Sequence, residues 1–338
     1  MRHEMLTLNE ERNVTLECYL QEVTGRAART PKRPAIVILP GGGYHYCSDR
    51  EADPVAAAYG HYGFQTFVLR YSVGEHRIWP NPLNDFDQAM ALIRERAEEW
   101  GIYPDKIAVI GFSAGGHLAA AAATMSRNRP NAAILAYPAA GADIKNCNLT
   151  APDTTRFVNE DTCPCFLFAT RTDELVSVDN TIEFTAALSK ANVSFESHIY
   201  AYGPHGVSVC NSAVQDMTIP ICSRLPRWVG DSVEWLKDVL GDFSAGEMTQ
   251  PRCGHYFTAD CEPTLSAGCT LGYLLKKPQA MELLLPMVRQ VTTGMGTPAE
   301  ALLDCVQKLT LRAVMQFARF PEEVIDQVDA QLRKIPNP

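Results

Sequence analysis

Short apolar runs alternate with amphipathic stretches along the first 240 residues of the chain. Continuous apolar runs are typical of strands that are buried on both faces, and here they predict five inner strands. These strands are expected at residues 35–39, 64–71, 107–110, 132–137 and 166–170. An alternating stretch at 14–21 predicts an edge strand, and residues 195–200 predict the last strand.

Apolar residues at helical spacing fill the intervals between these strands. Residues 82–100 carry Leu83, Phe86, Met90 and Ile93 on one face, and this spacing predicts a long amphipathic helix. Further helices are predicted at 53–62, 178–191 and 230–240, and directly after the strand at 107–110. Strands that alternate with helices indicate a mostly parallel sheet covered on both faces. The predicted fold class is therefore α/β.

The pattern changes after residue 241. Residues 242–269 are loop-like and rich in cysteine, and from residue 270 onward the periodicity is helical without strand signals. Pro278, Pro298 and Pro321 each stand where a new helix would begin. We expect an α/β domain at 1–241, a linker at 242–269 and a small helical appendage at 270–338, whose helices could hold a homo-oligomer together. No internal repeat is evident in the sequence.

Composition and charge exclude two classes of binding partner, nucleic acids and membranes. The net charge of −9 over 338 residues argues against binding to nucleic acid or to an anionic membrane, because both need basic patches. No stretch approaches 18 consecutive apolar residues, so no membrane span is expected. The first 16 residues carry scattered charges and no long apolar run, which is not the pattern of a signal peptide. A cytoplasmic location is therefore expected.

The cysteine content points to reduced thiols. The chain has 11 cysteines, an odd number, and shows no export signal, so disulfides are not expected. Cys253, Cys261 and Cys269 lie near His255, but their eight-residue spacing matches no zinc-binding pattern. The interpretation favoured for this group is buried thiols, with no metal and no cofactor.

Residues 106–119, with the sequence KIAVIGFSAGGHLA, contain the strongest catalytic signal in the chain. An apolar strand runs into Gly111-Phe112-Ser113-Ala114-Gly115, and an alanine-rich helix follows. Strand, G-x-S-x-G and helix in this order are typical of a nucleophile elbow, in which a tight turn exposes the serine hydroxyl. The following helix also directs its N-terminal dipole at the place where an oxyanion would form. Ser113 is the candidate nucleophile.

An activated serine needs a base and a group that orients the base. Asp173 follows the strand at 166–170 and His205 follows the strand at 195–200, so both stand at carboxyl ends of strands. Their order along the chain, Ser, Asp, His, is that of sheet-based serine hydrolases. The other candidate carboxylates and histidines are interpreted as capping, solvated or packing residues: Glu174, Asp179, Asp153, Asp161, His117, His61, His198 and His255.

The oxyanion formed in acyl transfer needs backbone N–H donors. One is expected from Ala114, directly after the nucleophile, and others from the loop that follows the strand at 35–39. That loop reads Gly41-Gly42-Gly43, and glycine lets backbone N–H groups approach a substrate without a Cβ in the way. Gly42, Gly43 and Ala114 are the candidate oxyanion-hole residues.

In combination, these motifs resemble those of the α/β-hydrolase superfamily, and within it the bacterial acetyl-esterase group that includes acetyl-xylan-esterase-like enzymes. The matching pieces are PGGGY at 40–44, SDRE at 48–51, PVA at 54–56, PLND at 82–85, GFSAGGHLA at 111–119, TDELV at 172–176 and GPHGVS at 203–208. The resemblance spans roughly residues 14–240. It implies an α/β-hydrolase fold and a serine esterase that removes small acyl groups, often acetyl, from sugars or xylo-oligosaccharides. It also implies Ser113, Asp173 and His205 as the triad.

The chain departs from related lipases at Pro40, where they carry the histidine of an HGGG motif. This departure favours the esterase interpretation. A general carboxylesterase or peptidase of the same fold remains an alternative, as does a non-catalytic scaffold. Residues 138–162 and 211–227 are expected to shape the pocket. Trp79, Tyr44 and Tyr46 could stack on a sugar or simply pack in the interior.

Overall fold

The fold is described from a computed structural model, in which residues 1–22, 30–244, 246–252, 258–260, 262–295 and 306–337 are described. The chain divides into two compact units, Met1–Pro251 and Arg252–Pro338. Each unit has its own apolar core. The division into a catalytic domain, linker and appendage, and any oligomer formed through the C-terminal helices, stay predictions.

An eight-stranded sheet forms the centre of the first unit. Its strands, in chain order, are β1 (Arg2–Asn9), β2 (Val14–Leu20), β3 (Arg33–Leu39), β4 (Gln65–Arg70), β5 (Ile102–Phe112), β6 (Ala132–Ala136), β7 (Cys165–Thr170) and β8 (Phe195–Tyr200). Their spatial order is β1-β2-β4-β3-β5-β6-β7-β8. Only the pairs β1–β2 and β2–β4 are antiparallel, and the remaining pairs are parallel. The predicted α/β fold class is confirmed.

Five helices accompany the sheet within the described part of this unit: α1 (Asp53–His61), α2 (Asn81–Glu95), α3 (Ala114–Met125), α4 (Asp179–Lys190) and α5 (Trp228–Leu240). Helix α2 ends five residues before its predicted end at residue 100. The predicted helix was too long because apolar residues continue at helical spacing beyond Glu95. Two of them, Ala97 and Trp100, are buried in the turn that follows the helix. A residue can therefore bury its side chain at helical spacing without belonging to the helix.

The sequence pattern missed one strand. Every residue of β1 is exposed or half-buried, so it lacks the apolar faces that identified the other strands. Strand β1 pairs along the full length of β2, and the strand predicted at the edge is therefore the second strand of the sheet. Strand β2 alternates between buried and half-buried residues, as expected where one face packs on the core.

The register of the central strands places the functional loops at one edge of the sheet. Leu39 at the end of β3 pairs with Gly111 of β5, and Phe112 of β5 pairs with Ala136 of β6. In a parallel sheet the carboxyl ends of neighbouring strands meet, and ligands bind in the crevice beyond them. The loops after β3, β5 and β6 therefore start side by side.

The second unit contains four helices among its described residues: α6 (Leu271–Leu275), α7 (Pro278–Met295), α8 (Leu311–Phe317) and α9 (Glu322–Leu332). Pro278 begins α7 and Pro321 directly precedes α9, as predicted, whereas Pro298 lies outside the described residues. No helix among the described residues has the length and apolar character needed to cross a bilayer.

These four helices form a repeated pair that the sequence pattern did not reveal. Thr270 caps α6 and Thr310 caps α8, each through its hydroxyl oxygen, and each cap is followed by a buried leucine. The two caps face each other in an antiparallel bridge. The N–H of Leu271 donates to the carbonyl of Leu309, and the N–H of Leu311 donates to the carbonyl of Cys269, both at 2.9 Å. Local two-fold symmetry therefore relates the starts of the two helix pairs.

Candidate active site

Ser113 occupies a strained turn between β5 and α3. Its backbone angles are φ 54° and ψ −116°, a conformation that non-glycine residues rarely adopt and that projects the side chain away from the sheet. The turn is possible because its neighbours lack side chains. A Cβ on Gly111 would lie 2.0 Å from the carbonyl oxygen of Gly115, and one on Gly115 would lie 2.1 Å from that of Leu39. The sequence therefore forms the predicted elbow.

His205 lies between Ser113 and Asp173. Its Nδ1 is 2.7 Å from Asp173 Oδ2, and its Nε2 is 2.9 Å from Ser113 Oγ. An ionised carboxylate only accepts hydrogen bonds, so Nδ1 carries the proton and Nε2 is left to accept from the serine hydroxyl. The structure brings the three predicted residues together in the geometry of a nucleophile, a base and an orienting carboxylate.

The Asp173 carboxylate is held by its own loop. Its side chain is 1% exposed, and Oδ1 accepts the backbone N–H groups of Leu175 and Val176, both at 2.9 Å. These two donors leave Oδ2 to face the imidazole. The carboxylate therefore has a fixed orientation before His205 becomes charged.

Three of the alternative carboxylates have local partners. Asp153 caps a short helical turn through Thr155 and contacts Arg156, and Asp161 lies 3.7 Å from Arg129. Asp179 accepts a hydrogen bond from the Ser177 hydroxyl at the start of α4.

His117 is a buried packing residue one turn after Ser113. Its Nδ1 lies 2.7 Å from the Tyr44 hydroxyl and its Nε2 lies 2.8 Å from the Pro152 carbonyl oxygen. A carbonyl only accepts, so Nε2 carries the proton and Nδ1 accepts from Tyr44. Burial lowers the pKa of His117 to about 4, so the ring is neutral near pH 7.

The glycine loop after β3 presents backbone donors close to Ser113. The Gly41 N–H donates to Glu51 Oε2 at 2.8 Å, so it is already used. Within the described part of the chain, the N–H groups of Gly42, Gly43 and Ala114 have no protein acceptor. Gly42 and Gly43 have φ values of 123° and 61°, and a Cβ on Gly42 would lie 2.2 Å from the Tyr46 carbonyl oxygen. These three N–H groups are therefore available to a developing oxyanion.

Sequence reasoning missed Glu51 and Tyr137. Glu51 is 5% exposed, and its Oε1 accepts the Tyr137 hydroxyl at 2.6 Å while Oε2 accepts the Gly41 N–H. The Tyr137 hydroxyl in turn accepts the N–H of Ser208, three residues after His205, at 3.1 Å. Burial raises the pKa of Glu51, an effect opposed by these hydrogen bonds and by the nearby cations. The one signal in the sequence was Glu51 in the SDRE segment, which had no assigned role.

A cleft of about 710 Å³ lies beside the glycine loop. A Cβ built on Gly43 would lie 3.3 Å from His45 and 3.7 Å from Cys147, and both of these residues line the cleft. Its wall also carries Arg77 and Lys145, which donate to the carbonyl oxygens of Gly74 and Leu149. Neither cation forms an ion pair with a carboxylate of the described residues. The wall of the cleft is therefore mostly apolar and carries two cations without an ion-pair partner, together with one exposed carboxylate.

The three candidate stacking residues differ in exposure. Tyr44 is fully buried, so it packs in the interior and is not available to a ligand. Trp79 is half-buried with its ring edge-on to His117, whereas Tyr46 is 61% exposed. Only Tyr46 presents most of its surface to solvent.

The cysteines form no recognisable site in the described part of the chain. Eight of them, including Cys269, are described, and none forms a disulfide. No group of three or more potential metal ligands occurs among the described residues. Cys253, His255 and Cys261, which the sequence placed near Cys269, lie outside the described residues.

Comparisons with known proteins agree with this architecture. A family model described as BD-FAE matches residues 22–142. The acetylxylan esterase of Xylanibacter ruminicola is 30% identical over 226 residues, which cover 60% of this chain and 45% of that protein. The chain spans less than half the length of the curated relatives that it matches over the longest stretches.

Two solved structures match a larger share of the chain. MGS-M1, an α/β-hydrolase enzyme from a Medee basin deep-sea metagenome library, is 43% identical with a TM-score of 0.66, covering 71% of this chain and 98% of that one. The acetyl ester-xyloside bifunctional hydrolase of Caldicellulosiruptor lactoaceticus is 27% identical with a TM-score of 0.61, covering 70% and 96%. The chain therefore belongs to the α/β-hydrolase superfamily.

Proposed function

We propose that the chain is a carboxylic ester hydrolase that works through a Ser113–His205–Asp173 triad. The observation that carries the proposal is the pair of hydrogen bonds made by His205, 2.9 Å to Ser113 Oγ and 2.7 Å to Asp173 Oδ2. This is the arrangement that converts a weak serine hydroxyl into a nucleophile by removing its proton as it attacks.

Acylation follows from this geometry. Ser113 Oγ attacks the ester carbonyl carbon while its proton passes to His205 Nε2, and Asp173 stabilises the imidazolium that forms. The carbonyl oxygen becomes an oxyanion that the N–H groups of Gly42, Gly43 and Ala114 stabilise. When the tetrahedral intermediate collapses, the ester C–O bond breaks and His205 returns the proton to the leaving alcohol.

Deacylation repeats the same steps with water. His205 takes a proton from a water molecule as the water oxygen attacks the acyl carbon. The second tetrahedral intermediate then collapses, the bond between the acyl carbon and Ser113 Oγ breaks, and His205 returns the proton to Oγ as the acid leaves. The sum is one ester and one water converted into one acid and one alcohol. Every proton transfer in this scheme uses His205.

The substrate we infer is a short acyl ester, most simply acetyl, carried by a xylo-oligosaccharide or related sugar. Two matched proteins are an acetylxylan esterase and an acetyl ester-xyloside hydrolase. The cleft beside Gly43 supports the same inference, because Arg77 and Lys145 on its wall can donate to the hydroxyl groups of such a ligand.

The test uses p-nitrophenyl esters from acetate to octanoate together with acetylated xylo-oligosaccharide. We expect rapid hydrolysis of the acetate ester, a steep loss with chain length, and release of acetate from the sugar. Ser113→Ala should fold normally and lose about 10⁴-fold or more in kcat. A fluorophosphonate probe should label the wild type and not this variant.

Each contrary outcome has a definite meaning. Wild-type turnover by Ser113→Ala would overturn the mechanism, and a folded wild type that neither reacts with the probe nor hydrolyses any ester would point to a scaffold. Preference for longer chains with no acetate released from the sugar would leave a general carboxylesterase. Preference for peptides would place the chain among peptidases of the same fold.

A further inference from the structure

We propose that Glu51 and Tyr137 are positioning residues that fix the glycine loop relative to the loop carrying His205, and that the Glu51 charge stabilises the protonated imidazole. The inference rests on the proposed esterase function. It assigns a role to a buried carboxylate that the triad and the oxyanion hole do not use.

The burial of Glu51 calls for a compensating role. Moving an ionised carboxylate out of water costs free energy unless hydrogen bonds from the protein replace those from water. Glu51 is 5% exposed, and both oxygens are satisfied, one by the Tyr137 hydroxyl at 2.6 Å and the other by the Gly41 N–H at 2.8 Å. The Gly41 N–H can only donate, and the Tyr137 hydroxyl, which accepts the Ser208 N–H, has its own proton to donate to Glu51. Both hydrogen bonds therefore favour the ionised carboxylate.

Tyr137 carries the link across to the loop that follows β8. Its hydroxyl donates to Glu51 and accepts the Ser208 N–H at 3.1 Å. Its ring stands edge-on to the His205 imidazole, with centroids 5.1 Å apart. Tyr137 also has a φ of 36°, a strained conformation for a non-glycine residue. One side chain therefore contacts the carboxylate, the base and the backbone beyond the base.

The residue before Glu51 ties the same two loops together. The Arg50 guanidinium donates to the Gly206 carbonyl at 2.6 Å, and the Ser208 hydroxyl donates to the Arg50 carbonyl. Gly206 and Ser208 lie one and three residues after His205. The His205 loop is thus held at two points by the segment that also holds Gly41.

Two chemical consequences follow. Fixing the Gly41 N–H on Glu51 orients the peptide units that follow, and these carry the free N–H groups of Gly42 and Gly43. A negative charge close to His205 favours the imidazolium that forms during attack, in addition to Asp173. The charged and titratable groups around Glu51 are Arg50, Tyr71, Tyr137 and His205. Arg50 is solvent-exposed, so water screens its opposing charge more strongly.

The experiment compares Glu51→Gln and Tyr137→Phe with the wild type by the pH profile of kcat/KM for p-nitrophenyl acetate. Glu51→Gln keeps the shape but removes the charge, and we expect kcat to fall about 10- to 100-fold with KM little changed. Its acidic limb should also move to lower pH, because the imidazolium loses a stabilising charge. Tyr137→Phe keeps the ring against His205 and should lower kcat without moving that limb.

Asp87→Asn is the matched control. Asp87 is also a buried carboxylate that accepts several hydrogen bonds, from Ser126, Arg127 and the N–H of Asn128. It lies in α2, and its side chain has no hydrogen bond to the glycine loop or to the His205 loop among the described residues. It should lower the melting temperature and leave the pH profile unchanged.

A purely structural role predicts a different result. If Glu51→Gln lowers only the melting temperature, and kcat and the acidic limb match the wild type below that temperature, the proposal is wrong. Should that variant not fold, an unchanged kcat in Tyr137→Phe would overturn it equally. If the wild type itself shows no ester hydrolysis that depends on Ser113, the proposed function is rejected instead.

Discussion

At the scale of single residues, the neutral state of His117 is set by its surroundings. The ring is fully buried next to the nucleophile turn, between the Tyr44 hydroxyl and the Pro152 carbonyl. Donating to Pro152 from Nε2 while accepting from Tyr44 at Nδ1 requires a neutral ring with its one proton on Nε2. Protonation would put a second donor opposite the Tyr44 hydroxyl and a charge in the core. The ring therefore keeps both of its partners only while it is neutral.

This burial makes stability depend on pH. The pKa of His117 is lowered by burial to about 4 in the folded chain, whereas an unfolded chain has an ordinary value near 6.5. As pH falls below about 6.5 the unfolded state takes up the proton first, so the contribution is complete above that value and is lost progressively towards pH 4. We expect a loss of about 3 kcal/mol in the free energy of unfolding from this group.

Urea unfolding at several pH values between 7.5 and 4 measures this loss. His117→Gln should be less stable at pH 7.5 but should have a flatter dependence over the same range. His61→Gln, at an exposed position on α1, should keep the wild-type slope. Equal slopes in the wild type and His117→Gln would contradict the assignment.

At the scale of elements, the elbow between β5 and α3 depends on backbone contact. Gly115 has carbonyl oxygens of Leu39 and Pro40 where a Cβ would stand, at 2.1 and 2.5 Å. Backbone on both sides of the contact cannot move without separating β3 from α3. This contact is what holds Ser113 above the sheet.

We therefore expect Gly115→Ala to destabilise the chain by at least about 3 kcal/mol or to prevent folding. Gly230→Ala is the matched control, because Gly230 lies within α5 and a Cβ there meets nothing within 4 Å. It should gain about 0.5–1 kcal/mol, since alanine is the better helix former. Thermal and urea unfolding of the two variants measures both effects. Similar stabilities would show that the elbow tolerates a side chain.

The burial and local packing of each element explain which parts of the fold and of the candidate site could be predicted from the sequence. Strands β3, β6 and β7 are buried along almost their whole length, so their composition identified them directly. Ser113 was predictable because the strain and the close packing of its turn require a local five-residue pattern. Asp173 and His205 were predictable as polar residues at strand ends. Strand β1 and the repeated helix pair were missed because their signals lie in pairing partners distant in sequence.

The burial of Glu51 could not be predicted from its neighbours in sequence, for a related reason. It stands among Ser48, Asp49 and Arg50, where a glutamate is ordinarily solvated. Its burial arises because the loops after β3, β6 and β8 meet there, contributing Gly41, Tyr137 and Ser208. Only the assembled sheet brings these loops together.

At the scale of the whole molecule, charge is distributed unevenly around the candidate active site. The chain carries a net charge of −9, yet the cleft beside the glycine loop presents Arg77 and Lys145 without a carboxylate partner among the described residues. Glu75, the one carboxylate on the cleft wall, is 88% exposed and lies 3.7 Å from His76. If the cleft holds the sugar of the proposed substrate, these two cations are placed to bind its oxygens.

This placement predicts a substrate-dependent effect of Arg77→Gln combined with Lys145→Gln. Hydrogen bonds from charged donors contribute about 1.5–3 kcal/mol each, so KM for acetylated xylo-oligosaccharide should rise at least about 10-fold. KM for p-nitrophenyl acetate should change much less, because that ester has no sugar. Lys190→Gln, at the exposed end of α4, controls for the loss of positive charge. An equal rise in KM for both substrates would mean that the two cations affect the glycine loop rather than the sugar. No change in KM for either substrate would mean that the sugar binds elsewhere.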